Sequence, residues 1–259
     1  MPRTADGGAE PLKPLKWYRK LAAARGRLEA GAFLVEGERA VKQLIDSSPR
    51  EIIEIIAVAE LSRSYGAFPV RVVSESQLRP LGSVRTPQGV LAVVRAPADI
   101  YTDRLPENTG DRVLLLEDVQ DPGNVGTLIR TAAAFDFSGV ILSRKCADPL
   151  SPKCVQSTAG AVLSVWLRRT NRYLALADTL RKSGFFMVAT DLGGEAEPAV
   201  LQNRGKLLLA LGNEAAGLSG VVLEASDCRV RILITGKKAE SLNVAACGAI
   251  VMYLSSQKR

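Results

Sequence analysis

The sequence predicts an α/β protein in which a parallel sheet forms a larger C-terminal unit and a small α/β unit precedes it. Two observations support this fold class. Short apolar runs alternate with helix-type patterns along most of the 259 residues, as in strands joined by crossover helices. In addition, the runs Val113–Leu116 and Leu207–Ala210 are apolar at every position, as expected of strands buried on both faces.

The first predicted unit, residues 12–96, follows a stretch at 1–11 that is rich in Gly, Pro and Ala and has no apolar periodicity. We expect that stretch to be a flexible tail. The unit itself has the alternating pattern of a compact α/β domain. In chain order it predicts helix 15–29, strand 32–35, helix 38–45, strand 52–58, strand 70–73, a short helix 76–81 and strand 90–94.

Residues 97–111 separate the two units. They contain two prolines, Asn108 and Gly110 without sustained periodicity, which indicates an interdomain linker. The pattern then restarts in the second unit, residues 112–259. There it predicts strand 112–116, helix 126–135, strand 139–142, helix 152–158, strand 163–167, helix 171–182, strands 185–190, 206–211 and 229–232, and a final helix 241–256.

The residue inventory excludes several classes of site. The chain has no histidine, so a Ser-His-Asp triad, a Cys-His nucleophile and a histidine base are impossible. Its four cysteines form no C-x-x-C pair, so we expect reduced structural thiols and no metal site. The longest apolar stretch near the C-terminus, 243–254, is too short to cross a bilayer, and no signal-peptide pattern is present. We therefore expect a cytoplasmic protein without membrane contact.

The basic charge of the chain points to a polyanionic partner. The formal net charge is +7 and the sequence pI is about 9.4. Residues 12–27 contain six basic residues, no acidic one and two aromatic ones, a mixture suited to phosphate contact and base stacking. Nucleic acid is the leading candidate, and a generally basic surface is the alternative. The candidate RNA-contacting residues are Lys13, Lys16, Trp17, Arg19, Lys20 and Arg25.

Three turns after predicted strands carry the polar residues most suited to chemistry. Ligands of α/β sheets collect where parallel strands end, so these turns are expected to meet at one edge. The first turn, 121–130, offers Asn124, which both donates and accepts hydrogen bonds, and Arg130, whose planar guanidinium suits phosphate or carboxylate. A helix cap and a solvated arginine are the alternative interpretation.

The second turn, 211–219, contains Gly212, which lets a ligand approach the backbone closely, and the acid Glu214. Its glycine spacing is that of a phosphate loop, but Leu218 stands where the lysine is needed, which argues against a Walker-type nucleotide hydrolase. A helix start capped by Asn213 is the alternative.

The third turn, 239–243, opens the last predicted helix with Ser241 and Asn243. These residues either cap that helix or border backbone donors that bind an anionic group. No G-x-G-x-x-G sequence follows a strand, which disfavours a dinucleotide enzyme and a Rossmann-type methyltransferase.

Taken in order, the segments 121–130, 211–214 and 240–245 closely resemble the three motifs of the SpoU (TrmH) family of RNA methyltransferases. The resemblance covers about residues 112–256, and residues 33–38 resemble part of the substrate-binding domain that many members carry. It implies methyl transfer from S-adenosylmethionine to a ribose 2'-hydroxyl of RNA. It also implies a trefoil knot in the C-terminal domain, a cofactor pocket inside the knot, and a homodimer with active sites at its interface.

Matched motif by motif, the resemblance implies roles for individual residues. We expect Arg130 to hold a phosphate and stabilise alkoxide charge, because free arginine stays protonated and makes a poor base. The family usually has an Ile-Pro segment before its third motif, whereas this chain reads Ile-Leu-Ile at 232–234. The implied catalytic or substrate-orienting residues are Asn124, Arg130, Glu214, Ser241 and Asn243, and the implied cofactor-binding residues are Thr190, Gly212, Leu233 and Leu242.

The resemblance favours large-subunit ribosomal RNA as substrate, with transfer RNA second. Base methylation through a cysteine nucleophile is a rival, which the position of all four cysteines outside the three turns disfavours. A catalytically silent RNA-binding or ribosome-assembly protein with the same fold is the rival from another class.

Overall fold

The computed structural model describes residues 13–83, 87–202, 204–235 and 241–257. The predicted tail at 1–11 and the first residue of the third motif lie outside these ranges. The fold is α/β, as predicted, with a smaller N-terminal and a larger C-terminal sheet.

The N-terminal unit is built on a four-stranded mixed sheet of order β1-β4-β2-β3. Strand β4 is antiparallel to both its neighbours, and β3 is parallel to β2. The elements are α1 (Leu15–Lys20), α2 (Ala24–Ala30), β1 (Ala32–Glu36), α3 (Glu38–Ser47), β2 (Ile52–Ala57), α4 (Ala59–Ser62), β3 (Val70–Val72), α5 (Glu75–Leu78) and β4 (Val90–Arg95).

The single helix predicted over 15–29 is wrong, because the chain turns between α1 and α2. The guanidinium of Arg27 donates to the carbonyl oxygens of Leu21 and Ala22 at 3.1 and 2.9 Å, which stabilises this turn. Helix α2 also approaches α1 so closely that a Cβ on Gly26 would lie 2.0 Å from the carbonyl oxygen of Lys20. Glycine at this position therefore permits the tight junction.

The C-terminal unit contains a six-stranded parallel sheet of order β10-β8-β9-β5-β6-β7. Its strands are β5 (Arg112–Leu116), β6 (Gly139–Ser143), β7 (Trp166–Thr170), β8 (Phe186–Thr190), β9 (Leu207–Leu211) and β10 (Cys228–Val230). Its helices are α6 (Pro122–Ala134), α7 (Pro152–Thr158), α8 (Tyr173–Lys182), α9 (Gly220–Ala225) and α10 (Val244–Ser256).

The strand predicted at 163–167 is displaced, since Ala161–Leu163 form a 3-10 turn and the strand begins at Trp166. Trp166 pairs with Gly139 of β6, and its indole occupies the space that a side chain on Gly139 would fill. The bulky ring thus fixes the register of β7 against β6. Helices α4 and α9 were not predicted, because four and six residues are too short to show a periodic pattern.

Both faces of the central strands are covered by helices. Alternate residues of β5 and β9 pack towards α6, α7 and α10 on one face, and the others towards α8 and α9 on the opposite face. This accounts for the uniformly apolar sequences of the two strands, which lie in the middle of the sheet. The first of these cores continues into the N-terminal unit, so apolar packing joins the two units.

The segment predicted as a linker, 97–111, contains no helix or strand and lies along the edge strand β7. The amide of Arg169 donates to the carbonyl of Ile100 at 2.7 Å, and the indole nitrogen of Trp166 donates to the carbonyl of Thr109 at 3.1 Å. The guanidinium of Arg168, which is buried, pairs with Asp99. The segment therefore covers part of the exposed edge of the sheet.

Candidate functional site

The first motif follows β5 and begins α6 through an N-terminal cap. The side chain of Asp121 accepts a hydrogen bond from the Asn124 amide at 3.0 Å, and Pro122 occupies the first helical turn, where a missing N–H costs nothing. The Lys153 ammonium donates to the other Asp121 oxygen at 3.0 Å. This bond and the backbone donors hold the pKa of the Asp121 carboxyl below its usual value, so the capping carboxylate stays ionised.

The second motif follows β9 as a compact loop organised by Asn213. Its side-chain oxygen accepts from the amides of Ala215 and Ala216 at 2.9 Å, while its side-chain nitrogen donates to the carbonyl of Asp118 at 2.8 Å. The backbones of Asn213 and Gly217 exchange two hydrogen bonds of 3.0 Å. The loop therefore presents Glu214 from a fixed, hydrogen-bonded turn.

The third motif joins the other two through one chain of side-chain hydrogen bonds. Asn243 caps α10, accepting from the amides of Ala245 and Ala246, and donates through Nδ2 to Oδ1 of Asn124 at 3.1 Å. Asn124 in turn donates through Nδ2 to Oε1 of Glu214 at 2.9 Å. Three residues from separate parts of the sequence thus meet at the carboxyl edge of the sheet, where a ligand site was expected.

A cavity of about 410 Å³ opens beside this cluster, within the size range of small-molecule sites. Glu214 and Ser241 line it and are exposed, so a large substrate can reach them. Most of the wall is apolar, and Asp191 adds a carboxylate. Of the expected cofactor-binding residues, the wall includes Thr190, Gly212 and Leu242.

Gly212 allows the loop to fold over the cavity. A Cβ at this position would lie 2.2 Å from the carbonyl carbon of Gly217 and 2.4 Å from the amide nitrogen of Leu218. Both are backbone atoms, so no side-chain rotation would relieve the clash. Glycine at position 212 is therefore required by the packing of the loop itself, and the close approach of a ligand to its backbone stays a prediction.

Two expected site residues lie away from the cluster. The side chain of Leu233 is 58% exposed and does not line the cavity, whereas its neighbours Ile232 and Ile234 do. Arg130 is on the exposed face of α6 and makes no hydrogen bond or ion pair to any residue of the described ranges. Arg130 is six positions after Asn124 in α6, which places it about 9 Å further along the helix axis and about a third of a turn around it.

The basic N-terminal segment divides into exposed and buried residues. Lys16, Arg19, Lys20 and Arg25 are exposed, Lys13 is half-buried, and Trp17 is half-buried with its ring edge-on to Tyr18.

Tyr18 is fully buried and donates to Glu54 at 2.7 Å, so it is unavailable for the base stacking that the aromatic pattern suggested. Arg27, the sixth basic residue, is only 4% exposed and pairs with Asp148 in the other unit. Two members of the pattern therefore hold the fold together.

Glu117 is a buried carboxylate that was not among the predicted site residues, and it stabilises the second-motif loop. Glu117, the residue after β5, accepts hydrogen bonds from the Tyr173 hydroxyl at 2.5 Å and the Ser219 hydroxyl at 2.8 Å through Oε1, and from the Ser219 amide at 2.7 Å through Oε2. It ties the end of the second-motif loop to β5. A single acid directly after an apolar strand was the only sequence signal for this role.

The four cysteines are free thiols. Cys247 lines the cavity, but burial raises the pKa of its thiol, so it remains protonated and is a poor nucleophile. No group of three or more potential metal ligands occurs in the part of the chain that the structure describes. Within the same part, no helix is both long and apolar enough to cross a membrane.

These features define a class: an α/β protein with two sheets, a cavity of ligand size at the carboxyl edge of the parallel sheet, and a basic segment before the smaller sheet. Residues 111–253 match the SpoU rRNA Methylase family, and residues 13–92 match the MRM3-like substrate binding domain. The chain belongs to the SpoU rRNA methylase family.

Its curated relatives include two enzymes that it matches over nearly their full length. It is 31% identical to the 23S rRNA (guanosine(2553)-2'-O)-methyltransferase RlmP of Bacillus subtilis, over 92% of this chain and 94% of that one. It is 30% identical to the 23S rRNA (uridine(2479)-2'-O)-methyltransferase of Streptomyces viridochromogenes, over 94% and 89% of the two chains.

Solved structures of similar proteins share the fold over both units. The SpoU methyltransferase AviRb of Streptomyces viridochromogenes, in complex with AdoMet, superposes with a TM-score of 0.80 at 27% identity, covering 93% of this chain and 96% of that one. A putative TrmH-family RNA methyltransferase of Porphyromonas gingivalis gives 0.81 at 30% identity, with the same two coverages.

Proposed function

We propose that this protein transfers a methyl group from S-adenosylmethionine to a ribose 2'-hydroxyl of RNA, with large-subunit ribosomal RNA of the 23S type as its substrate. The observation that carries the proposal is the hydrogen-bonded chain Asn243–Asn124–Glu214 at the mouth of the cavity. It brings the three family motifs together at one point. The relatives that act on 23S rRNA support the choice of substrate.

The cavity fits an adenosine-containing cofactor with a charged tail. Apolar side chains from Leu211, Leu218, Ile232 and Ile234 form walls suited to a planar base, while the Asp191 carboxylate suits hydroxyl or ammonium groups. The neighbours of Leu233, not Leu233 itself, supply side chains here. When bound, S-adenosylmethionine supplies an electrophilic methyl group.

The chain's own residues orient the ribose oxygen and stabilise its developing charge. One oxygen of Glu214 is engaged by Asn124, and the other accepts no hydrogen bond from a described residue, so it is available to a ribose hydroxyl. Ser241 lines the same cavity, and the exposed Asn243 is joined to Glu214 through Asn124. Positioning of this kind lowers the barrier by fixing two reactants in reactive geometry. The planar guanidinium of Arg130 holds the adjacent phosphate and stabilises alkoxide charge.

A homodimer explains the exposed apolar face that carries Arg130. Helix α10 is apolar almost all round, which is typical of a helix covered on every side. Yet Ala246, Ile250 and Tyr253 are exposed along one stripe, and the Tyr253 ring contacts Phe135 at the end of α6, the helix that exposes Arg130 and Ala134. A second copy seated on this face would bury the stripe. Because Arg130 points away from its own Asn124, we assign it to the site of the partner copy.

The family's trefoil knot and domain division belong to the same proposal. Strand β10 lies at the edge of the sheet, whereas α10 packs against α6 and against the turn at Pro198–Leu201 that precedes β9. The knot would involve this turn and α10. Residues 12–96 would bind RNA, residues 112–259 would carry the reaction, and the enzyme would act in the cytoplasm.

The test is methyl transfer from methyl-labelled S-adenosylmethionine to ribosomal and transfer RNA purified from cells lacking the protein. We expect label in a large-subunit ribosomal nucleotide whose 3' linkage resists alkali, since 2'-O-methylation removes the hydroxyl that cleaves it. Arg130→Ala should abolish transfer, whereas Lys182→Ala, on the opposite edge of the sheet, should not. Label found only in transfer RNA would show that the substrate is transfer RNA and not ribosomal RNA. Cofactor binding without transfer to either RNA would favour the silent assembly protein.

A further inference from the structure

A cluster of cations lies where β6 and β7 end, outside the residues that the family motifs include. Arg144 and Lys145 directly follow β6, Lys153 lies in the first turn of α7, Arg169 is near the end of β7, and Arg172 follows that strand. Residue 143 pairs with residue 170 across the two strands, so the side chains that follow them start from adjacent positions. We call these five residues the β6–β7 cationic cluster.

The charge of this cluster is only partly neutralised. Lys145 pairs with Asp118 at 3.2 Å and Lys153 with Asp121 at 3.0 Å. The guanidinium of Arg169 instead donates to backbone carbonyls of the loop after β6, that of Arg144 at 2.7 Å and that of Cys146 at 2.8 Å. A carbonyl oxygen accepts the hydrogen bond without cancelling the charge.

The remaining two members have no carboxylate partner among the described residues. Arg144 is exposed, and its guanidinium lies 5.9 Å from the ring centre of Tyr101. Arg172 is exposed, and no described residue accepts a hydrogen bond from its guanidinium. With Arg169, these residues leave three positive charges uncompensated.

Asp148, in the same loop, does not offset them, because it is engaged by Arg27 and by the Tyr101 hydroxyl. Asp103 accepts a hydrogen bond from Thr170, next to Arg169, and has no cation partner among the described residues. The balance of the surface is therefore positive.

The cluster lies between the two regions that the proposed function uses. On the side of the reaction site, Lys145 pairs with Asp118, and the Asp118 carbonyl accepts a hydrogen bond from the second-motif loop. Lys153 pairs with Asp121, which caps the helix that carries Asn124. Towards the N-terminal unit, the same loop reaches α2 through the Arg27–Asp148 pair. A strand of RNA running from α1 and α2 to the reaction site would cross this loop.

We propose that Arg144, Arg169 and Arg172 bind the phosphodiester backbone of the substrate RNA between its docking point on the N-terminal unit and its reacting nucleotide. This inference rests on the proposed function, since it concerns the path of the same substrate. The positive charge of the three arginines suits the task, because a cation placed beside a phosphate displaces a condensed counterion. Arg169 also fixes the loop that carries Arg144, so the surface is organised before RNA arrives.

The test compares two double variants with the same change in net charge. Arg144→Ala/Arg172→Ala removes the two exposed members of the cluster that have no carboxylate partner among the described residues. Lys182→Ala/Lys206→Ala removes two exposed cations at the opposite edge of the sheet, where α8 ends and β9 begins. Binding of an in vitro transcript of unmodified large-subunit ribosomal RNA is measured from 0.05 to 0.5 M salt, alongside cofactor affinity.

The slope of log K against log salt is negative, and we expect it to become shallower by about 0.7 to 0.9 for each phosphate that no longer has a cation beside it. For the first variant the total change is about 1.4 to 1.8. If the variant and the wild type bind RNA equally at about 1 M salt, this change in slope corresponds to roughly 25- to 60-fold weaker binding by the variant at 0.1 M salt. The control variant should retain the wild-type slope, and both should bind S-adenosylmethionine normally. Arg144→Lys/Arg172→Lys should restore most of the slope, because lysine keeps the charge.

Equal slopes for the two double variants would overturn the inference, because the change in salt dependence would then follow from the loss of net charge and not from the position of the arginines. A decrease in affinity that the lysine variant does not restore would overturn it as well, because the residues would then act through structure. Failure of the proposed function is a separate result: the wild-type protein would bind the transcript with this salt dependence and transfer no methyl group.

Discussion

Replacing Gly212 with alanine should disrupt the cavity wall that we assign to the cofactor. The new Cβ would lie 2.2 Å from the Gly217 carbonyl carbon, whereas ordinary contact begins at 3.4 Å, so the loop must retreat by roughly 1 Å. That movement breaks the two backbone hydrogen bonds between Asn213 and Gly217. Each is worth about 0.5 to 1.5 kcal/mol, and forced overpacking adds about 1 to 3 kcal/mol.

The sum is a perturbation of about 2 to 6 kcal/mol concentrated in one loop. If cofactor binding requires the native loop, its affinity should fall by at least about 30-fold, because 1.4 kcal/mol corresponds to a factor of ten. Isothermal titration calorimetry with S-adenosylmethionine measures this directly. Thermal unfolding of the same sample establishes whether the rest of the fold survives.

Gly220→Ala is the matched control. Gly220 begins α9 in the same connection between β9 and β10, but a Cβ there would meet nothing within 4 Å. We expect unchanged cofactor affinity and equal or slightly higher stability, since alanine favours helix. Cofactor affinity within twofold of wild type in Gly212→Ala would refute the assignment of this loop as the cofactor wall.

Three further substitutions test other parts of the structure. Arg130→Lys should lower kcat by at least about tenfold without changing cofactor affinity, because lysine lacks the planar donor fork; near-normal turnover would contradict that role. Arg27→Ala should lower the free energy of unfolding by about 3 to 5 kcal/mol, since it leaves the largely buried Asp148 without its cation, and chemical denaturation measures this. Ile250→Asp should yield a monomer in light scattering, because the proposed interface would bury an unpaired charge; an unchanged mass would place the interface elsewhere.

Strong local signals made parts of the fold predictable. Strand β5 and helix α7 have the predicted bounds, the first because every residue after Arg112 is apolar and the second because Pro152 marks a helix start. Helix α6 begins four residues before its predicted start, because the Asp121 cap and Pro122 extend it. The last helix begins after its predicted start, because Asn243 is its cap rather than part of its first turn.

The site was predictable to the extent that it follows from strand ends. Asn124, Glu214 and Asn243 come together because their turns share the carboxyl edge of the sheet. The position of Arg130 on another helix face did not follow from the motif, and neither did the burial of Tyr18 and Arg27. Burial within a basic segment depends on partners distant in sequence, such as Glu54 and Asp148, which no local pattern reveals.

The contacts of residues 97–111 along β7, together with the Arg27–Asp148 pair, hold the two units at a set spacing. In the proposed function, such a protein would modify the nucleotide that lies at a fixed distance from the RNA feature bound by the N-terminal unit. A folded RNA presents that separation through its own tertiary structure, whereas an unfolded strand presents it only rarely. Target choice would then be a geometric measurement of RNA shape, with the base at the modified nucleotide contributing little.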